Sequence, residues 1–161
     1  MKRAEKSKIK IIMEKVAKIK IFLGADHAGY DLKNKIYKYL QNHGLAVVDL
    51  SPDFIKGDDY PKPAFKVAHA VRQNTGSRGI LICGSGVGVA IAANRIKGIR
   101  AVEACDEYTA KMSRKDEDSN VLCLRARFFP EAKIRKIIHA WLSAKFSNKV
   151  RHKRRIKELD A

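Results

Sequence analysis

Cys83 is followed at once by Gly84-Ser-Gly-Val-Gly88, and that spacing invites chemistry. An apolar run, Gly79-Ile-Leu-Ile-Cys83, ends on the thiol, and a helical pattern opens at Val87. Backbone N–H groups converge where a strand passes into a helix, and the helix dipole adds partial positive charge there. Such a cradle suits an anion or a developing oxyanion, and an electropositive helix start favours a thiolate as acid/base. A tight strand–helix turn would ask for the same glycines on backbone grounds alone. A dinucleotide fingerprint is the weaker alternative, although Glu103 stands near the end of the next strand. The spacing here is G-x-G-x-G after the third strand, not G-x-G-x-x-G after the first. His27 follows Asp26 in the loop Gly24-Ala-Asp-His-Ala-Gly-Tyr30 and could bind an anion or move a proton. Cys105 and Cys123 read as small buried hydrophobes, and His43, His69 and His139 as surface or core filling on helical segments.

The elements that must position these groups alternate along the chain. Apolar runs at Lys18–Leu23, Ala46–Leu50, Gly79–Cys83, Ile99–Glu103 and Val121–Leu124 read as five strands. Between and after them, Asp31–His43, Pro63–Thr75, Val87–Ile96, Glu107–Lys115 and Pro130–Phe146 carry helical periodicity, with Pro130 suited to a first turn. Strand–helix alternation with nearly continuous apolar strands implies an α/β fold whose parallel sheet is covered on both faces. Ligands of such sheets bind beyond the carboxyl ends of the strands. That rule gathers Asp26, His27, Cys83, the glycine cradle, Arg125 and Arg127 on one rim, suited to a small anion.

The chain has 161 residues, enough for one compact domain, with 45% hydrophobic and 32% charged residues. These proportions exclude wholesale disorder. Three cysteines without a CxxC pair argue against a disulfide framework or a zinc knuckle and fit a reducing cytoplasm. No stretch approaches the roughly 20 apolar residues of a membrane span, and the run Ile9–Met13 is too short for a secretory signal. The net charge of +17 is concentrated at the ends, with eight Lys/Arg in residues 1–20 and seven in residues 145–161. Such ends attract anions generally. No aromatic RNA-binding signature accompanies them, so a nucleic-acid-binding protein on the same core rests on electrostatics alone.

The segment Gly79-Ile-Leu-Ile-Cys-Gly-Ser-Gly-Val-Gly-Val-Ala-Ile-Ala-Ala-Asn94 resembles the signature of the type B ribose-5-phosphate isomerases and galactose-6-phosphate isomerase subunits. Gly24-Ala-Asp-His-Ala-Gly29, Asp59-Tyr-Pro61, Gly98-Ile-Arg-Ala-Val102, Ser113-Arg114, Ser119-Asn-Val-Leu122 and Arg151-His-Lys-Arg-Arg155 match in order, so the likeness runs from about Lys20 to Ile156. It implies a Rossmann-like three-layer sandwich with a five-stranded parallel sheet. It also implies metal-free, cofactor-free catalysis on a phosphorylated sugar, in a homodimer or dimer of dimers with shared active sites. By that resemblance Cys83 moves a proton between C1 and C2 through an enediolate, and the amides of Ser85–Gly88 hold the oxyanion. Asp26 and Tyr60 contact the sugar, while His27, Arg127, Arg151 and Arg155 bind phosphate. The catalytic candidates are thus Cys83, Ser85 and Asp116. The substrate-binding candidates are Asp26, His27, Tyr60, Gly84, Gly86, Val87, Gly88, Asn94, Arg127, Arg151 and Arg155. The division expected is a basic extension over 1–19, an isomerase domain over 20–148, and a C-terminal segment over 149–161 that supplies the arginine pair. At i, i+4 spacing, a short helix would set Arg151 and Arg155 on one face.

Four positions depart from the family pattern. Asp116-Glu117 stands where ring-opening members carry His-Asn, in what reads as the loop before the fifth strand. Ser85 replaces the commoner threonine and keeps the hydroxyl, and Arg125 replaces a small residue. Ring opening would then rely on Asp116, on another group, or on a substrate that needs none. A tetrose 4-phosphate, a hexose 6-phosphate and a subunit that needs a heteromeric partner all stand beside ribose 5-phosphate as readings.

Overall fold

The computed structural model describes residues 18–161. The expected extension over 1–19 therefore lies almost wholly outside the described residues. Five strands, β1 (Lys20–Ala25), β2 (Ala46–Asp49), β3 (Arg78–Cys83), β4 (Ala101–Glu103) and β5 (Val121–Arg125), form one sheet in the order β2-β1-β3-β5-β4. Every pairing is parallel. The helices are α1 (Tyr30–Asn42), α2 (Pro61–Gln73), α3 (Val87–Ala93), α4 (Glu107–Glu117), α5 (Glu131–Ser143) and α6 (Val150–Leu159).

Period-two alternation in the strands divides the core into two layers. Ile21, Leu23, Ile80, Ile82, Leu122 and Leu124 point to one face, where α1, α4 and α5 cover them with Ile36, Leu40, Ala110, Ile134, Ile138 and Trp141. Phe22, Leu81, Cys83, Val121 and Cys123 point to the other, under the small residues of α2 and α3. Fully burying one such Leu or Ile is worth about 1.5–3 kcal/mol, so both layers are needed to offset the ordering of the chain. The small side chains Ala64, Ala68, Ala90 and Ala93 let the second pair of helices lie close to the sheet. The expected α/β sandwich is the fold observed.

The elements differ from expectation mainly at their ends. α2 opens two residues earlier than the periodicity suggests because Pro61 and Pro63 fit a helical first turn, where no N–H is required. Pro130 is the residue before α5, not within its first turn. The helix expected over Val87–Ile96 stops at Ala93, where the Asn94 amide turns to bond the backbone of Ala101 in both directions. Asp116 and Glu117 belong to the last turn of α4, not to a loop, and left-handed Asp118 (φ 48°) ends that helix.

Two long-range pairs fix the loops at the carboxyl edge. Lys33 on α1 is fully buried, its Nζ donating to Asp49 Oδ2 at 2.6 Å and to Ser51 O at 2.5 Å. Ser51 Oγ in turn accepts from the N–H of Ala25, the last residue of β1. Gly29 is required by close approach, since a Cβ there would lie 2.3 Å from the carbonyl oxygen of Ile82. The Asp26–His27 loop is thereby drawn against the end of β3.

Candidate active site

From β1 the chain moves to β2 on one side and from β3 to β4 on the other, so the order of the strand connections reverses between β1 and β3. In open parallel sheets the crevice outside such a switch point is where ligands bind. Here the two loops flanking it carry Asp26-His27 and Cys83-Gly84-Ser85-Gly86.

Cys83 is the last residue of β3 and is 4% exposed. Its Sγ accepts a hydrogen bond from the N–H of Gly86 at 3.1 Å. That contact strengthens when the sulfur carries negative charge. Gly86 has φ +81°, and a Cβ there would meet Glu103 Cγ at 2.9 Å, so the turn that aims its N–H at the thiol is open to glycine alone. Val87 N donates to Ser85 Oγ at 3.3 Å, which leaves the exposed Ser85 hydroxyl beside the cradle. α3 has only seven residues, so its dipole is small and the individual N–H groups carry the anion-binding capacity.

Around this cradle the structure brings four of the expected side chains. Ala126 N and Arg127 N bond the carbonyls of Cys83 and Gly84, and the Arg127 guanidinium lies 3.1 Å from where a Gly84 Cβ would be. Tyr60, the residue before α2, sets its ring 3.0 Å from where a Gly88 Cβ would be. Asp26 is buried, with Oδ1 accepting from Gly29 N at 3.0 Å. Burial raises its carboxyl above the ordinary value near 3.8, against the lowering effects of the Gly29 N–H and of His27. His27 is half-exposed, and its Nδ1 faces both Oδ1 (3.2 Å) and the carbonyl (3.1 Å) of Asp58, leaving Nε2 for a ligand. Asp58 was not anticipated from the sequence, where the matched motif begins at Asp59.

Arg125 is the register partner of Cys83, but its guanidinium stacks 4.7 Å from the Phe129 ring centroid and lies near Glu103. Cys123 is wholly buried, and desolvation pushes its thiol well above the usual range, as suits a core residue. Cys105, expected to be buried, is exposed and sits 3.7 Å from Asp106 Oδ2, because it lies past the end of β4 in the turn that starts α4. Among the described residues no three His, Cys, Asp or Glu side chains group as metal ligands.

The structure does not bring Asn94, Asp116, Arg151 and Arg155 to the Cys83 of their own chain. Asn94 lies at the amino edge of the sheet with its amide committed to Ala101. Asp116 is in the last turn of α4, level with the start of β5, where Val121 pairs with Gly79. Gly79 and Cys83 are about 13 Å apart along the strand. At that amino edge α6 presents His152, Ile156 and Asp160 inward at a four-residue spacing. His152 is 2% exposed, and Asp160 pairs with Arg100. Arg151 Nε–H donates to His152 Nε2 at 3.0 Å, so Nε2 carries no proton. Nδ1–H faces Ser147 Oγ at 2.7 Å and Asp116 Oδ1 at 3.5 Å. Arg155 remains exposed. The sequence signal for His152 was this inward stripe, visible only once the helix is known to dock.

Residues 21–159 match the family model described as Ribose/Galactose Isomerase. The chain belongs to that family. Ribose-5-phosphate isomerase B of Escherichia coli is 40% identical over 88% of this chain and 95% of its own length. D-erythrulose-4-phosphate isomerase of Pectobacterium atrosepticum is 44% identical over 80% of this chain and 85% of its own. The crystal structure of ribose-5-phosphate isomerase B from Mycoplasma genitalium with bound ribulose 5-phosphate superposes with a TM-score of 0.84 at 43% identity, covering 89% of this chain and 95% of that one. The resemblance carried by Gly79–Asn94 is therefore a family membership, and the chain is a sugar-phosphate isomerase by family. No helix among the described residues is long and apolar enough to cross a membrane.

Proposed function

We propose that this isomerase interconverts ribose 5-phosphate and ribulose 5-phosphate in the cytoplasm, with Cys83 as the acid/base at carbon. The observation that carries this reading is the Cys83 Sγ held by the Gly86 N–H, with the Arg127 guanidinium beside Gly84. The Cys83 thiolate takes the proton from C2 of the open-chain aldose as the C1 carbonyl becomes an enediolate. The Gly88 N–H and the Ser85 hydroxyl, with the Val87 N–H shared with Ser85 Oγ, are offered to the oxygen that gains charge, while the Gly86 N–H stays on the Cys83 sulfur. A proton passes from O2 to O1 of the enediolate, and the thiol returns its own proton to C1, giving the ketose with no net change in atoms. Asp26 and Tyr60 hold sugar hydroxyls, and His27 Nε2 and Arg127 hold the phosphate.

Arg151, Arg155 and Asp116 enter this scheme only from a second copy of the chain, because their own Cys83 is on the opposite edge. Val87 and Ile91, half or more exposed on α3 beside the cradle, supply apolar surface for such a pairing. The unit is then an isomerase domain over residues 20–148 with a C-terminal segment over 149–161 that serves the partner's site.

A second reading is favoured by one position. Asp116 stands where ring opening would need histidine, and a relative of 44% identity is an erythrulose-4-phosphate isomerase. A four-carbon sugar 4-phosphate cannot close a five-membered ring, because the necessary oxygen carries the phosphate. Isomerisation assays of the purified protein with pentose 5-, tetrose 4- and hexose 6-phosphates decide between them. Cys83→Ala should lower kcat about 10²–10⁴-fold on the true substrate with KM little changed. Near-normal turnover in that variant would remove Cys83 from the chemistry.

A further inference from the structure

At the amino edge of the sheet, away from the rim of Cys83, a cleft of about 520 Å³ opens between the end of α2, the start of β3 and the turn before β4. Five cationic side chains line it against two carboxylates, Asp118 and Asp160. Three of the cations are arginines fixed by the fold. Arg100 pairs with Asp118 and Asp160. Arg114 pairs with Asp118 at 2.7 Å and donates to Ser119 O, but its Nε–H, in a side chain nine-tenths buried, has no acceptor. Arg78 donates to Leu142 O and lies over Trp141, and burial with the Arg114 charge beside it pushes its pKa down to about 10. The other two, Arg72 and Lys97, stand exposed at the mouth.

A buried arginine short of acceptors beside another arginine is an expensive arrangement for a fold to keep without a counter-charge. The excess of cations calls for an anion. The chain ahead of Lys18, itself rich in lysine, has the wrong charge to supply it. No aromatic side chain lines the cleft to stack a base. Planar guanidiniums grouped within one small volume match the oxygens of phosphate groups in bidentate fashion. We propose that this cleft is a second anion site, taking a small, densely charged polyphosphate or bisphosphorylated metabolite at the edge of the sheet opposite the catalytic rim. The site stands on its own residues, whichever sugar the rim accepts.

Inorganic pyrophosphate is the probe, titrated calorimetrically into the full chain at about 50 mM salt, where arginine–phosphate contacts are little screened. Arg127→Ala is the background, so that binding at the catalytic rim is weakened. Pyrophosphate should bind this variant and raise its Tm. Adding Arg72→Ala and Lys97→Ala should weaken that binding at least tenfold. Neither residue is needed to fold the core, and in the otherwise natural chain Arg72→Ala/Lys97→Ala should leave isomerase turnover unchanged. Absence of binding in Arg127→Ala, or undiminished binding in the triple variant, would overturn the proposal, the first by assigning the anion to the rim alone.

Discussion

Asp116 and His152 lie 3.5 Å apart, carboxylate Oδ1 to imidazole Nδ1, across the contact between α4 and α6. This pair anchors the start of the C-terminal helix and turns the Arg155 side of it outward. It also puts the residue that departs most from the family pattern into the same cluster as Arg151, at the edge of the sheet remote from Cys83.

If that cluster serves a neighbouring copy, two inactive variants should complement each other. Cys83→Ala and Arg151→Ala/Arg155→Ala, mixed and allowed to exchange subunits, should form heterodimers with one intact site, recovering about a quarter of normal activity at equal mixing. Activity that stays at the level of the separate variants, after exchange is confirmed by mass, would show that the arginines do not serve the thiol of a neighbouring copy.

Variants of Asp116 test which sugar the site takes. With a tetrose 4-phosphate as substrate, Asp116→Asn should change kcat/KM less than threefold, and Asp116→His should raise turnover of ribose 5-phosphate. With ribose 5-phosphate as the natural substrate, Asp116→Asn should instead lower kcat/KM about 10²-fold or more, as loss of a general acid–base group does. Steady-state kinetics on both sugars separates the two.

Asp26 should trade stability for function. Its carboxyl is raised above its ordinary value, mainly by burial, so the folded state holds the proton more tightly than the unfolded chain. Stability is then lost as pH rises from about the unfolded value near 3.8 through the raised folded value, and the deficit persists at neutral pH. Asp26→Asn keeps an acceptor for the Gly29 N–H and removes the buried charge. It should raise Tm at pH 7 while lowering kcat/KM, and the gain in Tm should vanish below about pH 3.8, where both proteins are neutral at this position.

The Lys33–Asp49 pair offers a stability test at a point that holds the loops of the carboxyl edge. Lys33 is fully buried, so Asp49→Ala leaves its ammonium with no counter-charge, facing the carbonyl of Ser51 and the ring of Tyr30. Equilibrium denaturation should show a loss of about 3–5 kcal/mol, the usual cost of breaking a buried pair from one side. Lys33→Met/Asp49→Leu, which removes both charges, should recover most of it. A loss under about 1 kcal/mol in the single variant would show that water reaches the lysine.

The sequence by itself determined the kind of fold and the family of the chain. Continuous apolar strands such as Gly79–Cys83 have to be buried on both faces, and that requires helices on both sides. Gly86 beside Cys83 declared its turn, because few other residues adopt a positive φ. These are local properties, written in periodicity and steric allowance. The strand order was not local. Only the tertiary structure slots β5 between β3 and β4, which makes Arg125 the neighbour of Cys83 and carries Arg127 onto Gly84. Asp58 behind His27, the inward stripe of α6 on Arg100 and Asp116, and the arginine-lined cleft likewise depend on where separate elements dock. Sequence neighbours fix which face a residue occupies, whereas the partner across a long-range contact is chosen by the packing of the whole sheet.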